Sequence, residues 1–264
     1  NLPRMQNYDE QRLILISNDD SYTAGGINHL ANIAKQYGKV VMVAPETAQS
    51  GKSASITIET PLVARKVSSQ PGLEIIAVNG TPVDCIKLAC NQLLERKPDL
   101  VLVGINHGLN SSVSVTYSGT MGAAFEGLAQ QVPSIAFSYG DYTPYADFSP
   151  CNDIIHKMIQ MAIAGGVPDG VCLNVNIPKS DSMVTRLEVA HAMRGAWVNE
   201  YTRMTHPIPG VGDYYWLTGD LACYDPDPEH CDMHFLRQGI ATVTPCHLDR
   251  TNWQAIELLH KQLD

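Results

Sequence analysis

The sequence predicts an α/β fold: a Rossmann-like, doubly wound, mostly parallel sheet that carries an extended β-hairpin arm towards its C-terminal end. Three observations lead there. Apolar runs of strand length alternate with helical patterns from Leu13 to Ile177, the order that a parallel sheet with right-handed crossovers requires. Several of these runs stop abruptly at small polar or acidic residues, and open α/β sheets bind ligands at the carboxyl ends of their strands. After Pro178 the character changes, and Thr185 to Asp232 is rich in Gly, Pro, Tyr and Trp with no helical period.

Leu13 to Ser17 reads as the first strand, followed by a helix near Gly26 to Tyr37 and a second strand from Val40 to Ala44. A polar loop, Pro45 to Ser55, leads into a mixed β region that ends near Val78. Thr81-Pro82 is an N-cap followed by Pro at the first helical position, which opens a helix through Leu94. Asp99 to Gly104 is a further apolar strand, Ser118 to Gln131 a helix rich in small residues, and Ser134 to Ser138 another strand. A helix near Asn152 to Ala164 and a strand from Val171 to Ile177 close the alternation. Ile240 to Thr244 reads as the last strand and Thr251 to Leu263 as the closing helix. The chain thus divides into an N-terminal extension (1–12), an α/β core (13–184), an arm (185–238), and a final strand with its helix (239–264). An irregular aromatic segment such as the arm needs a partner surface, so exchange between subunits of a homodimer or homotetramer is expected.

Composition narrows the function. At 264 residues the chain is long enough to bury a full core. A net charge of -9 argues against a binder of nucleic-acid duplexes, whose affinity rests on Lys and Arg neutralising phosphates. The seven cysteines are odd in number and scattered, with no C-x-x-C pair, which implies reduced thiols filling core and loops in a cytoplasmic setting. No apolar run approaches the ~20 residues of a membrane span.

The chemistry concentrates at Asn18-Asp19-Asp20, where two adjacent carboxylates end the first strand without a basic residue beside them. These residue types also form turns and helix caps, and that reading stands beside the functional one. Two side-by-side anions repel, so the functional reading requires a cation. A hard divalent ion such as Mg²⁺, Mn²⁺ or Ca²⁺ suits oxygen ligands. Three other segments share the grammar of strand followed by small polar residues. Gln49-Ser50-Gly51-Lys52-Ser53 offers hydroxyls and free amides, and Asn106, at the end of the apolar run from Val101, offers a neutral amide oxygen. Tyr117-Ser118-Gly119-Thr120 places small residues where a helix begins, a position that attracts anions through free N–H groups and the helix dipole.

Taken together, these residues resemble the SurE family, the stationary-phase survival proteins that are metal-dependent 5′(3′)-nucleotidases. The likeness runs through Ser-Asn-Asp-Asp at 17–20, Ala-Pro with Gln-Ser-Gly at 44–51, Gly-Thr-Pro-Val-Asp-Cys at 80–85 and Gly-Ile-Asn-His-Gly-Leu-Asn at 104–110. It continues with Tyr-Ser-Gly-Thr at 117–120, Leu-Asn-Val-Asn-Ile-Pro at 173–178 and Val-Thr-Pro at 243–245. The resemblance implies that Asp19, Asp20, Ser50 and Asn106 hold one divalent cation per subunit. It also implies that Asn110, Ser118, Gly119 and Thr120 surround the phosphate of a nucleoside monophosphate.

Catalysis would then fall to Asp19, Asp20, Asn110 and Ser118. The attack is either by water, with Asp19 or Asp20 as base, or by an Asp carboxylate through an aspartyl-phosphate. A non-catalytic nucleotide or phosphate sensor, and an exopolyphosphatase, are the alternatives. Adjacency of the carboxylates disfavours a haloacid-dehalogenase-type phosphatase, whose two Asp residues are separated by one intervening residue. Departures from the family pattern are Ser21 in place of Gly after the Asp pair, Gln49 in place of a basic residue, and Lys52 at a usually small position. Asp232 stands near the family's late acidic motif with Met233 and His234 as unusual companions. His107 reads as loop packing more readily than as a base, and Trp197, Tyr201, Tyr214, Tyr215 and Trp216 read as interface anchors more readily than as base-stacking groups.

Overall fold

Leu13, Ile14, Leu15 and Ile16 are all buried, although successive strand residues point to opposite faces of a sheet. Both faces are therefore covered, as in a parallel sheet packed between two helical layers. In the computed structural model, which describes residues 9–263, this strand is β1 (Asp9–Ser17). Ile14 and Ile16 face a core shared with α1 (Gly25–Ala34) and α4 (Asn152–Ile163), through Ile27, Leu30, Ile154 and Ile155. Leu13 and Leu15 face the opposite core, shared with α2 (Pro82–Leu88) and α3 (Gly119–Ala129) through Cys85, Ile86, Met121 and Ala123.

From β1 the chain winds outwards to β2 (Gly38–Pro45) and then to the β3–β4 hairpin (Ala64–Gln70, Leu73–Val78), where β4 pairs with β2 and β3 forms the edge. It then returns to the other side of β1 to lay down β5 (Leu100–His107), β6 (Ser134–Tyr139) and β7 (Cys172–Ile177). These strands run parallel from β4 through β7. The winding reverses between β1 and β5, so the carboxyl ends of these two strands form the crevice at the topological switch point.

The α/β reading, the mostly parallel sheet and the helix starts agree with the pattern read from the sequence. Thr81 caps α2 with a full capping box: its hydroxyl accepts from the Asp84 N–H, and the Asp84 carboxylate accepts from the Thr81 N–H at 2.9 Å. The helix expected through Leu94 leaves α-geometry at Leu88 and continues as one π-helical turn, Ala89–Leu93.

The arm expected over 185–238 narrows considerably. β8 (Leu187–Val189) belongs to the main sheet, parallel to β13 (Ala241–Cys246), which itself runs antiparallel to β7. A short helix absent from the sequence reading, α5 (Asp232–Arg237), precedes β13. What projects is a nested hairpin, in which β9 (Gly195–Val198) pairs with β12 (Asp220–Cys223) and, beyond them, β10 (Tyr201–Met204) pairs with β11 (Tyr214–Leu217). The closing helix is α6 (Trp253–Leu263). Of the expected N-terminal extension, residues 9–12 belong to β1 and residues 1–8 lie outside the described residues.

The seven cysteines are free, and burial pushes the thiols of Cys85, Cys151 and Cys172 well up, as expected for core-filling groups. Among the described residues no helix is long and apolar enough to cross a membrane.

Candidate functional site

β1 ends in a tight turn closed by the Asn18 side-chain amide, which donates to the Ser21 carbonyl at 2.9 Å. Ser21 takes a backbone conformation more typical of glycine, with φ of 89°. Its hydroxyl is fixed against that of Thr23 at 2.9 Å. The turn delivers the two carboxylates in different directions. Asp19 is only 3% exposed and packs on the first turn of α3, where its Oδ1 accepts from the Thr120 hydroxyl at 2.6 Å. A Cβ on Gly119 would lie 3.0 Å from both Cβ and Oδ2 of Asp19, so glycine is what lets the carboxylate approach the helix start. Asp20 is more open and turns towards the end of β5, where its Oδ2 accepts from the His107 N–H at 3.3 Å.

Two further segments converge on the same place. Beyond β2, the Gln49 N–H donates to the Asp19 carbonyl at 2.7 Å, which brings Ser50 beside the carboxylate pair. No hydrogen bond engages the exposed Ser50 hydroxyl among the described residues. The loop is stapled to the approach of α3 by the Ser53 hydroxyl, which donates to the Thr116 carbonyl at 2.6 Å. Asn106, one residue before His107, spends its amide nitrogen on the Gly108 carbonyl at 2.8 Å, which leaves its amide oxygen as the uncommitted atom.

The electrostatics follow from crowding two anions into a dry strand end. Burial first, and the neighbouring Asp20 charge second, push the Asp19 carboxyl up to about 6 from its ordinary 3.8, against the opposing Thr120 hydrogen bond. Asp20 is raised as well, chiefly by burial. Nearby, the Asn18 Oδ1 and His107 Nδ1 atoms are buried without a hydrogen-bond partner. The two carboxylates and the orphaned Asn18 Oδ1 leave more lone pairs than donors at this strand end, which is the environment that a hard cation completes. Among the described residues no cluster of three or more His, Cys, Asp or Glu is placed to hold a metal. Any ion here would therefore be held by the two carboxylates and neutral oxygens, a set that suits Mg²⁺, Mn²⁺ or Ca²⁺ and not the thiolate and imidazole donors typical of zinc.

Opposite the carboxylates, Ser118 is the N-cap of α3, its hydroxyl oxygen accepting from the Met121 N–H at 3.0 Å. The N–H groups of Gly119 and Thr120 lie in the first turn, free of intrahelical partners. The Thr120 hydroxyl is the partner of Asp19, which leaves its N–H as the group that Thr120 can offer an anion. Asn110 is pinned on three sides: its N–H donates to Asn176 Oδ1 at 2.8 Å, its carbonyl accepts from Asn174 Nδ2 at 2.8 Å, and its own Nδ2 donates to Ser138 Oγ at 2.8 Å.

Asn174, Asn176 and Ser138 were given no role in the sequence reading. Two Asn residues at spacing two in an apolar strand were the signal, since they share one face. Asp232, fully buried, accepts N–H bonds from Ser112 at 2.7 Å and Met193 at 3.0 Å, and so ties the loop after Asn110 to the root of the hairpin. A cavity of about 770 Å³ opens away from all of this, lined by residues such as Arg12, Lys39, Lys66 and Glu74, and contains none of these groups.

Comparison with known proteins agrees with the geometry. The family model described as "Survival protein SurE" matches residues 14–199. The chain is 41% identical over 242 residues to the 5′-nucleotidase SurE of Phocaeicola vulgatus, covering 92% of this chain and 93% of that one. It is 39% identical over 248 residues to the 5′-nucleotidase SurE of Bacteroides thetaiotaomicron, covering 94% and 95%. A crystal structure of the SurE protein from Aquifex aeolicus superposes with a TM-score of 0.81 at 33% identity, over 96% of this chain and 100% of that one. A carboxylate pair at the switch point, a helix start facing it, and a family match across more than half of the chain lead to one conclusion: this protein belongs to the SurE family.

Proposed function

We propose that the protein is a metal-dependent phosphomonoesterase that hydrolyses nucleoside 5′-monophosphates, and 3′-monophosphates as well, to nucleoside and phosphate. The observation that carries this reading is the carboxylate pair at the end of β1, with Asp19 buried and hydrogen-bonded to the first turn of α3 and the more open Asp20 turned towards the end of β5. The names of the relatives, each a 5′-nucleotidase SurE matched over more than nine-tenths of both chains, support it independently.

In this reading Asp19, Asp20, Ser50 and Asn106 hold one Mg²⁺ or Mn²⁺, with Ca²⁺ able to occupy the same oxygens. Such a cation, when bound, neutralises phosphoryl charge as a Lewis acid. The rest is done by the chain itself. The N–H groups of Gly119 and Thr120 bind phosphate oxygens at the positive end of the helix dipole, and the Ser118 hydroxyl donates beside them. Asn110 presents the remaining hydrogen of its amide from a rigid socket, so no reorganisation accompanies the reaction. Thr120 keeps Asp19 oriented and leaves Asp20, with the looser hydrogen bond, to take the proton of the attacking water. Purified protein with Mn²⁺ or Mg²⁺ is expected to release inorganic phosphate from a panel of nucleoside monophosphates. Binding without release under every metal would replace the enzyme by a sensor.

The cytoplasm and a homo-oligomeric state belong to the same proposal. Tyr201, Tyr215, Trp216 and Leu217 of the hairpin are each more than three-fifths exposed, an apolar surface that a second copy of the chain would cover. The Tyr224 N–H donates to the Arg194 carbonyl at 2.8 Å, so the two ends of the hairpin lie side by side and residues 195–223 are excisable across a short linker. The excised protein is expected to be monomeric by light scattering, and an unchanged oligomeric mass would refute the role of the hairpin.

A further inference from the structure

The loop that carries Asn106 and Asn110 has an aromatic ring laid across it. A Cβ on Gly108 would lie 2.3, 2.9 and 3.0 Å from the Cε1, Cδ1 and Cζ atoms of Tyr142, so the ring rests directly on the glycine backbone, which takes φ of +102°. The Tyr142 hydroxyl also accepts from the Leu109 N–H at 3.4 Å.

Its own segment is held in place. The Gly140 N–H donates to the Ile177 carbonyl at 2.8 Å, and the Gly108 N–H donates to the Tyr139 carbonyl at 2.8 Å, so the two loops run side by side. Asp141 accepts from the Thr143 N–H at 2.9 Å and pairs with Lys179 at 3.2 Å. Yet Tyr142 remains 73% exposed. An aromatic side chain fixed on one side and bare on the other offers an oriented π-surface, and it does so between the two asparagines assigned to metal and phosphate.

We propose that Tyr142 is the platform on which the nucleobase stacks, making it a determinant of nucleoside recognition; the assignment rests on the phosphatase reading above. Stacking tolerates every base because every base has a π-face. The platform therefore favours nucleosides over baseless sugar phosphates without selecting one base by hydrogen bonds. It is a role that the exposed hairpin aromatics do not share, since none of them rests on the 106–110 loop in this way.

Tyr142→Ala and Tyr142→Phe test it, because a side chain this exposed is replaceable without unfolding the core. Two measurements keep the two readings apart: calorimetric titration with adenosine, which needs no turnover, and steady-state hydrolysis of AMP beside ribose 5-phosphate. In Tyr142→Ala, adenosine affinity is expected to fall about tenfold and the KM for AMP to rise by a similar factor, at the lower end of what base stacking supplies. The KM for ribose 5-phosphate stays unchanged, and Tyr142→Phe, which keeps the ring, restores wild-type behaviour. Equal losses for AMP and ribose 5-phosphate, or unchanged adenosine binding, would overturn the platform. Failure of the wild type to hydrolyse either ester while still binding adenosine through Tyr142 would overturn the phosphatase reading alone.

Discussion

Asp19→Asn is expected to lower kcat/KM for nucleoside monophosphates by about 10³-fold or more, the scale on which a lost charge-stabilising group acts. At the same time it should make the metal-free protein more stable. The two effects have one origin. Burial and the Asp20 charge hold the Asp19 carboxyl near 6, above its ordinary 3.8, so the folded protein binds that proton more tightly than the unfolded chain does.

The contribution of Asp19 to stability without metal therefore falls as pH rises from about 4 to about 6, and its full deficit persists above that window. Two pK units correspond to about 3 kcal/mol. Asparagine carries no charge to desolvate. In chelator at pH 8, urea unfolding should place Asp19→Asn above wild type by up to about 3 kcal/mol, with the advantage vanishing towards pH 4. Saturating Mn²⁺ should reverse the order, because an ion that binds only the folded wild type stabilises it by mass action. A variant that remains active at low metal would remove Asp19 from the ligand set, and one that is less stable than wild type in chelator would show that the Asp19 charge does not destabilise the metal-free fold.

The residues legible in the sequence were those whose local grammar states their role. Thr81-Pro82 announces a helix start and provides one, and the apolar run into Asn18-Asp19-Asp20 marks a strand end at the switch point. Partnerships between distant segments were not legible. Nothing around Thr120 indicates that its hydroxyl serves Asp19, 101 positions away, and only the packing of α3 over that face of the sheet brings them together. The same holds for Asp232, whose bonds reach Ser112 and Met193.

The arm was read too broadly for a related reason. β8 has three residues and α5 six, lengths at which neither a strand nor a helix shows its period, while both flank a segment whose aromatic composition dominates the window. Asn174 and Asn176 are the intermediate case. Their alternation with Leu173, Val175 and Ile177 was visible, but which face needed two amides became apparent only once Asn110 was seen between them.

The joint between α1 and β5 gives the largest effect expected of a single methyl group. Gly26 begins the buried face of α1, and a Cβ there would lie 2.0 Å from the Ile105 carbonyl oxygen and 3.2 Å from Phe148 Cζ. Ile105 is fully buried, so either the helix or the strand end must move. In an open helix the change Gly→Ala would stabilise by up to about 1 kcal/mol, yet overpacking a fixed backbone costs about 1–3 kcal/mol. Gly26→Ala is therefore expected to lose about 3 kcal/mol in urea unfolding, near the top of that range. Activity should suffer too, because Asn106 follows Ile105 directly and a 1 Å misplacement of a positioning group lowers rates by about 10²-fold.

The adjacent glycine supplies the control. A Cβ on Gly25 meets only Phe148 Cε2 at 3.5 Å, an ordinary contact, so Gly25→Ala should match wild type in both measurements. If the two variants unfold at the same urea concentration, the close approach of α1 to the end of β5 is not what sets the position of Asn106.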